Sequence, residues 1–441
     1  MTEYVIVGAG PAGSACALHL AQSGKTVTLI EADQLGGTCL NVGCIPTKSF
    51  LYRANQTKML SQLGISPETV KSLQMHSIQD STTRLIKRSR LAIEQQVKQS
   101  GITLLHGTVT SFDADSVTLF TQDKVCFEKL ILATGTEPWI PPTFEKIATH
   151  PRLLTNNTIF SLEEIPRQIT IVGGGAIGVE FAFFFSLMGS SVTLCEAAPS
   201  ILPQLDTDIV AAIRRQLKLQ KVALLENMSI QAISSELTLT LSTGETQSCE
   251  YLLLATGRRA VMIPTALPFD HSPQGFILVN NDYQTPHSNI YAIGDLNGKS
   301  LLAHSATAQG HALAKRLLSQ KTSPLSSIPF IVYSNPTAAS VGLRSQDIEG
   351  SSRYRTNIVS MNLLGKAQIE GCSDGWLKLI TDTSGYLAGC HIWGPHSEDM
   401  LAMCSLAIDE RIPLSTLTKQ IFPHPSYMEI LGIALDQVLA S

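Results

Sequence analysis

Charge is scarce in this 441-residue chain, with Asp, Glu, Lys and Arg together supplying 15% of it. The 32 basic and 36 acidic residues nearly cancel, for a formal net charge of -4. A basic footprint is therefore missing, which excludes nucleic acid and an anionic membrane surface as partners and leaves small soluble substrates as the expectation. Long apolar runs are missing too. The most hydrophobic stretch, AFFFSLMG at 182–189, is far short of a membrane span and reads as a buried helix. No basic segment followed by an apolar one opens the chain, since the strand pattern YVIVGAG begins at Tyr4. A cleavable signal is not expected, and a cytoplasmic location is. With 44% hydrophobic residues the chain belongs to the compact globular class, and its length suggests two or three domains.

What is present is a repeated nucleotide-binding pattern. YVIVGAGPAGSACALHLAQSGKTVTLIEAD reads as a strand, a glycine turn, a helix and a second strand ending in an acid. Gly8, Gly10 and Gly13 form G-x-G-x-x-G, and Glu31 lies 23 residues past the first glycine. Such a turn brings backbone N–H groups and a helix N-terminus against a pyrophosphate, and the acid accepts from an adenosine ribose. QITIVGGGAIGVEFAFFFSLMGSSVTLCEAAP repeats the pattern with Gly173, Gly175 and Gly178, and Glu196 stands at the same offset of 23. Two matches with strand, helix and acid all in place predict two dinucleotides on one chain. Glu196 favours a free 2′-hydroxyl and no arginine follows it before Arg214, so NADH is expected over NADPH. Each unit closes on a strand and glycine turn, KLILATGTEP with Gly135 and YLLLATGRRA with Gly257. IYAIGD then ends in Asp295, placed to meet a ribose or polyol hydroxyl.

Of nine cysteines, seven (Cys16, Cys126, Cys195, Cys249, Cys372, Cys390, Cys404) are scattered through apolar segments and read as small buried hydrophobes. Cys39 and Cys44 differ, lying together in GGTCLNVGCIPTKS. In a regular helix residues five apart are separated by about 7.5 Å, beyond the ~7 Å limit for a disulphide, so a bond between them requires an irregular backbone. Gly43 permits one, and Pro46 suits the first turn of a following helix. That helix N-terminus beside Cys44, with Lys48 one turn on, would hold a thiolate. Two reduced structural thiols, or half of a metal site, remain as alternatives; C-x2-C spacing and a second ligand pair, which zinc would want, are not nearby.

The set VGAGPAG, GGTCLNVGCIPTKS, ATG, VGGGAIGVE, ATGRR, YAIGD and FPHPSYME resembles, in order and over nearly the whole chain, the class I pyridine nucleotide-disulphide oxidoreductases. These FAD enzymes include dihydrolipoamide dehydrogenase, glutathione reductase and mercuric reductase. The resemblance implies an α/β fold of two Rossmann-like domains plus a C-terminal α+β dimerisation domain, and a homodimer. It assigns 1–145 and 265–325 to a discontinuous FAD domain, 146–264 to an NAD domain and 326–441 to the interface, with a helical cap over 55–100. FAD would be held by Gly8, Gly10, Gly13, Glu31, Gly37, Thr38, Lys48, Gly135 and Asp295, and NAD by Gly173, Gly175, Gly178, Glu196 and Gly257. Electrons would pass from NADH through FAD to a Cys39–Cys44 disulphide, with Cys44 beside the flavin and Cys39 exchanging with substrate. Lys48 and Glu180 match the family's ion pair near the flavin. His424 and Glu429 match its proton-shuttling dyad, which reaches the site from the second subunit.

The substrate implied is a dithiol or disulphide of the lipoyl type, with docking into a 2-oxo acid dehydrogenase complex as a further expectation. Some positions depart from the lipoamide enzymes. Phe422 and Pro423 replace a His-Ala pair, Ala260 and Val261 follow Arg259 where Pro-Asn is common, and Thr337 stands for a glutamate. Ser305 and Gln309 replace a lysine and a glutamate. Reduction of a metal ion or a quinone, a mainly binding role in a multienzyme complex, and a flavin-thiol redox sensor are the alternatives. The chain ends in LDQVLAS, without the terminal cysteine pair of the mercuric enzymes.

Overall fold

The structure is a computed structural model and describes residues 2–62, 75–322, 325 and 327–440. Part of the expected cap, 63–74, and the expected domain start at 326 lie outside the described residues. The fold is α/β, two Rossmann-like units followed by an α+β unit.

In the first unit, Thr2–Val7 lies between the parallel strands Val27–Glu31 and Lys124–Leu132, and Ile290–Ala292 joins the far side of the latter. Val7, Leu132 and Ala292 are brought level by this register, so the turns that follow them open into one crevice at the carboxyl ends of the strands. Lys124–Leu132 also turns outward, its first half pairing antiparallel with Ser116–Leu119. The second unit has five parallel strands with Gln168–Val172 between Ser191–Cys195 and Tyr251–Leu254. The third is a five-stranded antiparallel sheet from Phe330 to Trp393, covered by helices that include Ser397–Asp409 and Glu429–Ala440.

The apolar run at 182–189 falls in the helix Ala176–Leu187, whose Phe181, Phe183, Phe184 and Phe185 are all buried. Such a helix, apolar on every side, has to be covered all round, and the helix Cys44–Gln62 supplies one cover, with the Phe50 ring centre 5.3 Å from that of Phe184 and the two planes tilted by 38°. This packing lays the cysteine-bearing helix along the second unit. At the other end, Lys378 is fully buried and its ammonium bonds to Asp206, to Asp208 Oδ2 (2.7 Å) and to Ser345 Oγ (2.6 Å), joining the second unit to the third. Among the described residues, no helix is long and apolar enough to cross a membrane.

Two of the seven scattered cysteines depart from expectation. Cys126 and Cys372 are exposed, whereas Cys16, Cys195, Cys249, Cys390 and Cys404 are buried. Cys126 lies in the half of its strand with one covered face, and two-residue alternation turns it outward while Phe127 turns in.

Candidate active site

The first glycine turn shows why each glycine is needed. A Cβ on Gly8 would lie 2.3 Å from the Ala133 carbonyl oxygen, and one on Gly13 would lie 1.9 Å from that of Gly8. These two are fixed by packing. Gly10 is different, because its Cβ would come no closer than 4.0 Å to any protein atom and would project into the crevice, where a ligand approaches the backbone. The second turn repeats the pattern, with Gly173 and Gly178 closed off at 2.2 Å and 1.9 Å and Gly175 open. The two acids are also equivalent. Glu31 accepts from the N–H of Ala9 (2.7 Å) and Glu196 from that of Gly174 (2.5 Å), inside each turn.

The crevice holds a cavity of about 330 Å³. Gly8, Gly10, Glu31, Gly37, Thr38, Cys39, Cys44, Lys48, Gly135, Glu180 and Asp295 all line it. Gly173, Gly175, Gly178 and Glu196 lie at the second turn and Gly257 in the turn after the strand Tyr251–Leu254, all outside this cavity, but the helix Ala176–Leu187 sends Ala176, Ile177 and Glu180 into it. The residues fit a flavin dinucleotide: an open glycine for the pyrophosphate, an acid for the ribose, and a half-buried Asp295. Asp295 stands in a short 3-10 turn after the strand rather than on its end. Burial raises its carboxyl above the usual range, while Thr136 donates to it at 3.0 Å and Arg258 draws it down. Gln309, one of the departures, accepts from the N–H of Gly294 at 2.9 Å and so holds this turn.

The cysteine pair is built on a broken helix. Residues Gly37–Val42 are helical, Gly43 departs to φ -136° and ψ -115°, and a new helix starts at Cys44. A Cβ at Gly43 would lie 2.8 Å from the Thr38 carbonyl oxygen, so the break needs glycine. Both thiols are free and Cys39 donates to Cys44. That donation, helped by Lys48, pulls the Cys44 thiol down to about 7 against burial and Glu180; the same contact and burial push Cys39 well up. Lys48 Nζ lies 2.7 Å from Glu180 Oε2 and 4.6 Å from the Tyr333 ring centre, and Glu180 Oε1 accepts from the Tyr333 N–H. Burial pushes the Tyr333 phenol up to about 12, so it stays neutral beside the pair.

His424 and Glu429 stand apart from the cavity. His424 Nδ1 is 2.8 Å from Glu429 Oε2, Ser426 N–H steadies the other oxygen, and the imidazole is 77% exposed. The histidine's hydrogen bond, then that N–H, hold Glu429 below the usual carboxylate range. No role was expected of Tyr333, Thr136, Asn156 or Arg258, although Thr136 and Arg258 fall inside the motifs KLILATGTEP and YLLLATGRRA, yet all are at the site. Arg258 reaches it because its strand, Arg258–Ala260, pairs antiparallel with Thr136–Pro138 of the first unit.

The pyridine nucleotide-disulphide oxidoreductase profile matches residues 2–310, and the dimerisation domain of the same group matches 328–435. The chain belongs to this family. Dihydrolipoyl dehydrogenases from Chlamydia pneumoniae and Geobacillus stearothermophilus are each 30% identical to it, over 97% and 100% of this chain and 95% and 97% of their own. Among solved structures, the HOCl-induced flavoprotein disulphide reductase RclA from Escherichia coli superposes with a TM-score of 0.88 at 26% identity, covering 99% of this chain and all (100%) of its own. LpdA from Mycobacterium tuberculosis shares the fold, with a TM-score of 0.91 at 22% identity over 99% and 100% of the two chains. This oxidoreductase is thus an FAD- and NAD(P)-binding enzyme of disulphide chemistry, and its dimerisation domain makes it a homodimer.

The open glycine carries a prediction for the oxidoreductase. Gly10→Ala should fold, since its methyl makes only an ordinary 4.0 Å contact with Gly37, but should be purified with less than about a tenth of the wild-type flavin, because the methyl occupies the ligand's approach. Absorbance of released flavin per subunit checks it, with circular dichroism to establish the fold.

Proposed function

We propose that this oxidoreductase acts on a lipoyl-type dithiol, passing its two electrons through Cys39 and Cys44 to NAD+. The observation that carries the reading is the Cys39/Cys44 pair held across the Gly43 break, with the Lys48–Glu180 ion pair beside it in the flavin-shaped crevice. Residues 1–145 with 265–325 serve FAD, 146–264 serve NAD and 326–441 form the dimer interface. FAD, when bound, supplies a two-electron relay between the dithiol and the nicotinamide. One substrate thiolate attacks Cys39 of the disulphide and Cys44 leaves as thiolate. The second substrate thiol then displaces Cys39, releasing the oxidised ring and leaving both cysteines reduced. A leaving thiol of low pKa departs fastest, which fits Cys44. His424, oriented by Glu429 and contributed by the second subunit, takes and returns the thiol protons at Cys39. Docking in a 2-oxo acid dehydrogenase complex, as the component that reoxidises a protein-bound dihydrolipoyl group, accompanies this reading.

NADH is preferred because Glu196 would repel a 2′-phosphate and the nearest arginine is engaged. Arg214 donates to both oxygens of Glu226 (3.0 Å and 3.2 Å from Nε) and to Ser200 Oγ (2.9 Å). The test is oxidation of dihydrolipoamide by the holoenzyme with NAD+ and with NADP+. NAD+ should be better in kcat/KM by about 100-fold, and Glu196→Gln should narrow the gap about tenfold, ~1.4 kcal/mol. Equal use of the two nucleotides by the wild type would refute the preference, and no turnover of dihydrolipoamide would refute the substrate. A second reading, metal-ion reduction, is favoured by one observation: the Escherichia coli reductase at 26% identity has been solved as a Cu(II) complex, and a thiolate pair is a soft ligand. NADH oxidation driven faster by Cu(II) than by lipoamide would establish it.

A further inference from the structure

Asn156 is 93% buried (relative exposure 7%), carries no motif, and joins three parts of the molecule. It follows the strand Leu153–Leu154, which pairs with the strand Tyr251–Leu254 that leads to Arg258. Its Nδ2 donates to the Val42 carbonyl (3.1 Å) and to Asn157 Oδ1 (3.0 Å), and its Oδ1 accepts from Arg258 Nη1 (3.0 Å). The direction of this amide is not arbitrary. A guanidinium can only donate and a carbonyl can only accept, so a flipped amide would set two donors together on one side and two acceptors on the other. Arg258 is itself fixed, donating from Nε to Thr136 Oγ1 (2.7 Å) and from Nη2 to the Thr136 carbonyl (2.6 Å).

Val42 is the last residue of the helix that carries Cys39, and Gly43 follows it. Its carbonyl is one of those a helix end leaves without an intrahelical partner. The plane of the Val42–Gly43 peptide sets the angle between the short helix and the helix that begins at Cys44, and therefore the approach of the two sulfurs. We infer that Asn156 is a positioning residue for the redox dithiol: its amide, oriented by Arg258, holds the Val42 carbonyl and with it the break that sets Cys39 against Cys44. This rests on the proposed redox role of the pair. The charged and titratable groups facing Cys44 are Cys39, Lys48, Glu180, Arg258 and Tyr333, and Asn156 touches Arg258 among them.

The direct measure of sulfur positioning is how readily the pair closes. The two thiols and oxidised glutathione give the Cys39–Cys44 disulphide and two reduced glutathiones, so the equilibrium constant of this exchange reports the effective concentration of one thiol at the other. It is to be measured on the holoenzyme at a pH well below the Cys44 midpoint of about 7, where both cysteines are protonated and a change in Cys44 ionisation no longer alters the constant. Asn156→Leu keeps the size and removes all three hydrogen bonds; Asn156→Asp keeps an acceptor for Arg258 and removes the donor to Val42. Both variants should lower the constant about tenfold, with Cys44 alkylation by iodoacetamide shifting to higher pH as the Cys39 donor moves away. A wild-type constant in Asn156→Leu overturns the inference. So does a wild-type constant in Asn156→Asp, which would mean that the residue acts only by holding Arg258. Should Asn156→Leu not fold, Asn156→Asp alone decides. If the wild type closes no disulphide and its cysteines gain no electrons from NADH, the redox reading falls and takes the inference with it; a closing wild type with unchanged variants removes the inference alone.

Discussion

Serine at position 44 should abolish turnover of dihydrolipoamide, by about 10³-fold or more, in an enzyme that still folds and binds flavin. The cause is electronic as well as covalent. Cys44 ionises at about 7, because the Cys39 thiol donates to it and Lys48 lies one helical turn away, while burial and Glu180 pull in the other direction. Near neutral pH a large share of it is thiolate, whereas a serine hydroxyl neither ionises in that range nor forms a disulphide. Cys39→Ser should lose turnover as completely but for a different reason: the residue that exchanges with substrate is gone while Cys44 and its surroundings stay. The two variants are told apart by alkylation. With Cys39→Ser, Cys44 should still react with iodoacetamide near neutral pH, since a serine hydroxyl can replace the lost donor. With Cys44→Ser, the remaining Cys39 should react only at clearly higher pH, because burial raises its thiol. NADH should release two further titratable thiols per subunit in the wild type and none in either variant. More than about 1% residual turnover with either serine would remove the pair from the reaction.

The parts of this site that were legible in the sequence are those whose chemistry is local along the chain. A glycine turn, its helix and its acid lie within 23 residues, so spacing alone carries the geometry, and it does so twice. The cysteine motif is local in the same way: Gly43 sits between the two sulfurs because a side chain there would strike Thr38. Arg258 and Asn156 were not legible, although Arg258 follows a glycine turn that was read. Their place depends on the antiparallel pairing of Arg258–Ala260 with Thr136–Pro138 and on the two-residue strand at Leu153, which leave no periodic trace. Gln309 shows a further limit. Read as a departure from related enzymes, it nevertheless holds the Gly294 N–H, because an amide oxygen can accept there as a carboxylate does. Cys126 was misread because the apolar neighbours that suggested burial belong to the opposite face of its strand.

His424→Ala should cost about 10²- to 10⁴-fold in kcat, the range for loss of a positioned general base, and the way the loss is inherited by mixed dimers shows where the histidine acts. On one subunit His424 is 77% exposed and belongs to the third unit, while Cys39 and Cys44 lie in the crevice of the first. Its partner Glu429 binds Nδ1 and leaves Nε2 free to take a proton, so the dyad is assembled before any thiol reaches it. In a homodimer the thiol can come from the other chain. Subunits carrying Cys44→Ser and subunits carrying His424→Ala are each inactive as homodimers. In a hybrid of the two, one site unites the intact cysteines of one chain with the intact histidine of the other, and the second site lacks both. Random exchange makes half of the dimers hybrid, each with one working site of two, so the mixture should regain about a quarter of wild-type activity. If the histidine served the cysteines of its own chain, every site in the hybrid would carry one lesion and mixing would restore nothing. Glu429→Gln should give a smaller loss than His424→Ala, because the amide still accepts from Nδ1 but no longer steadies the imidazolium formed when the proton is taken.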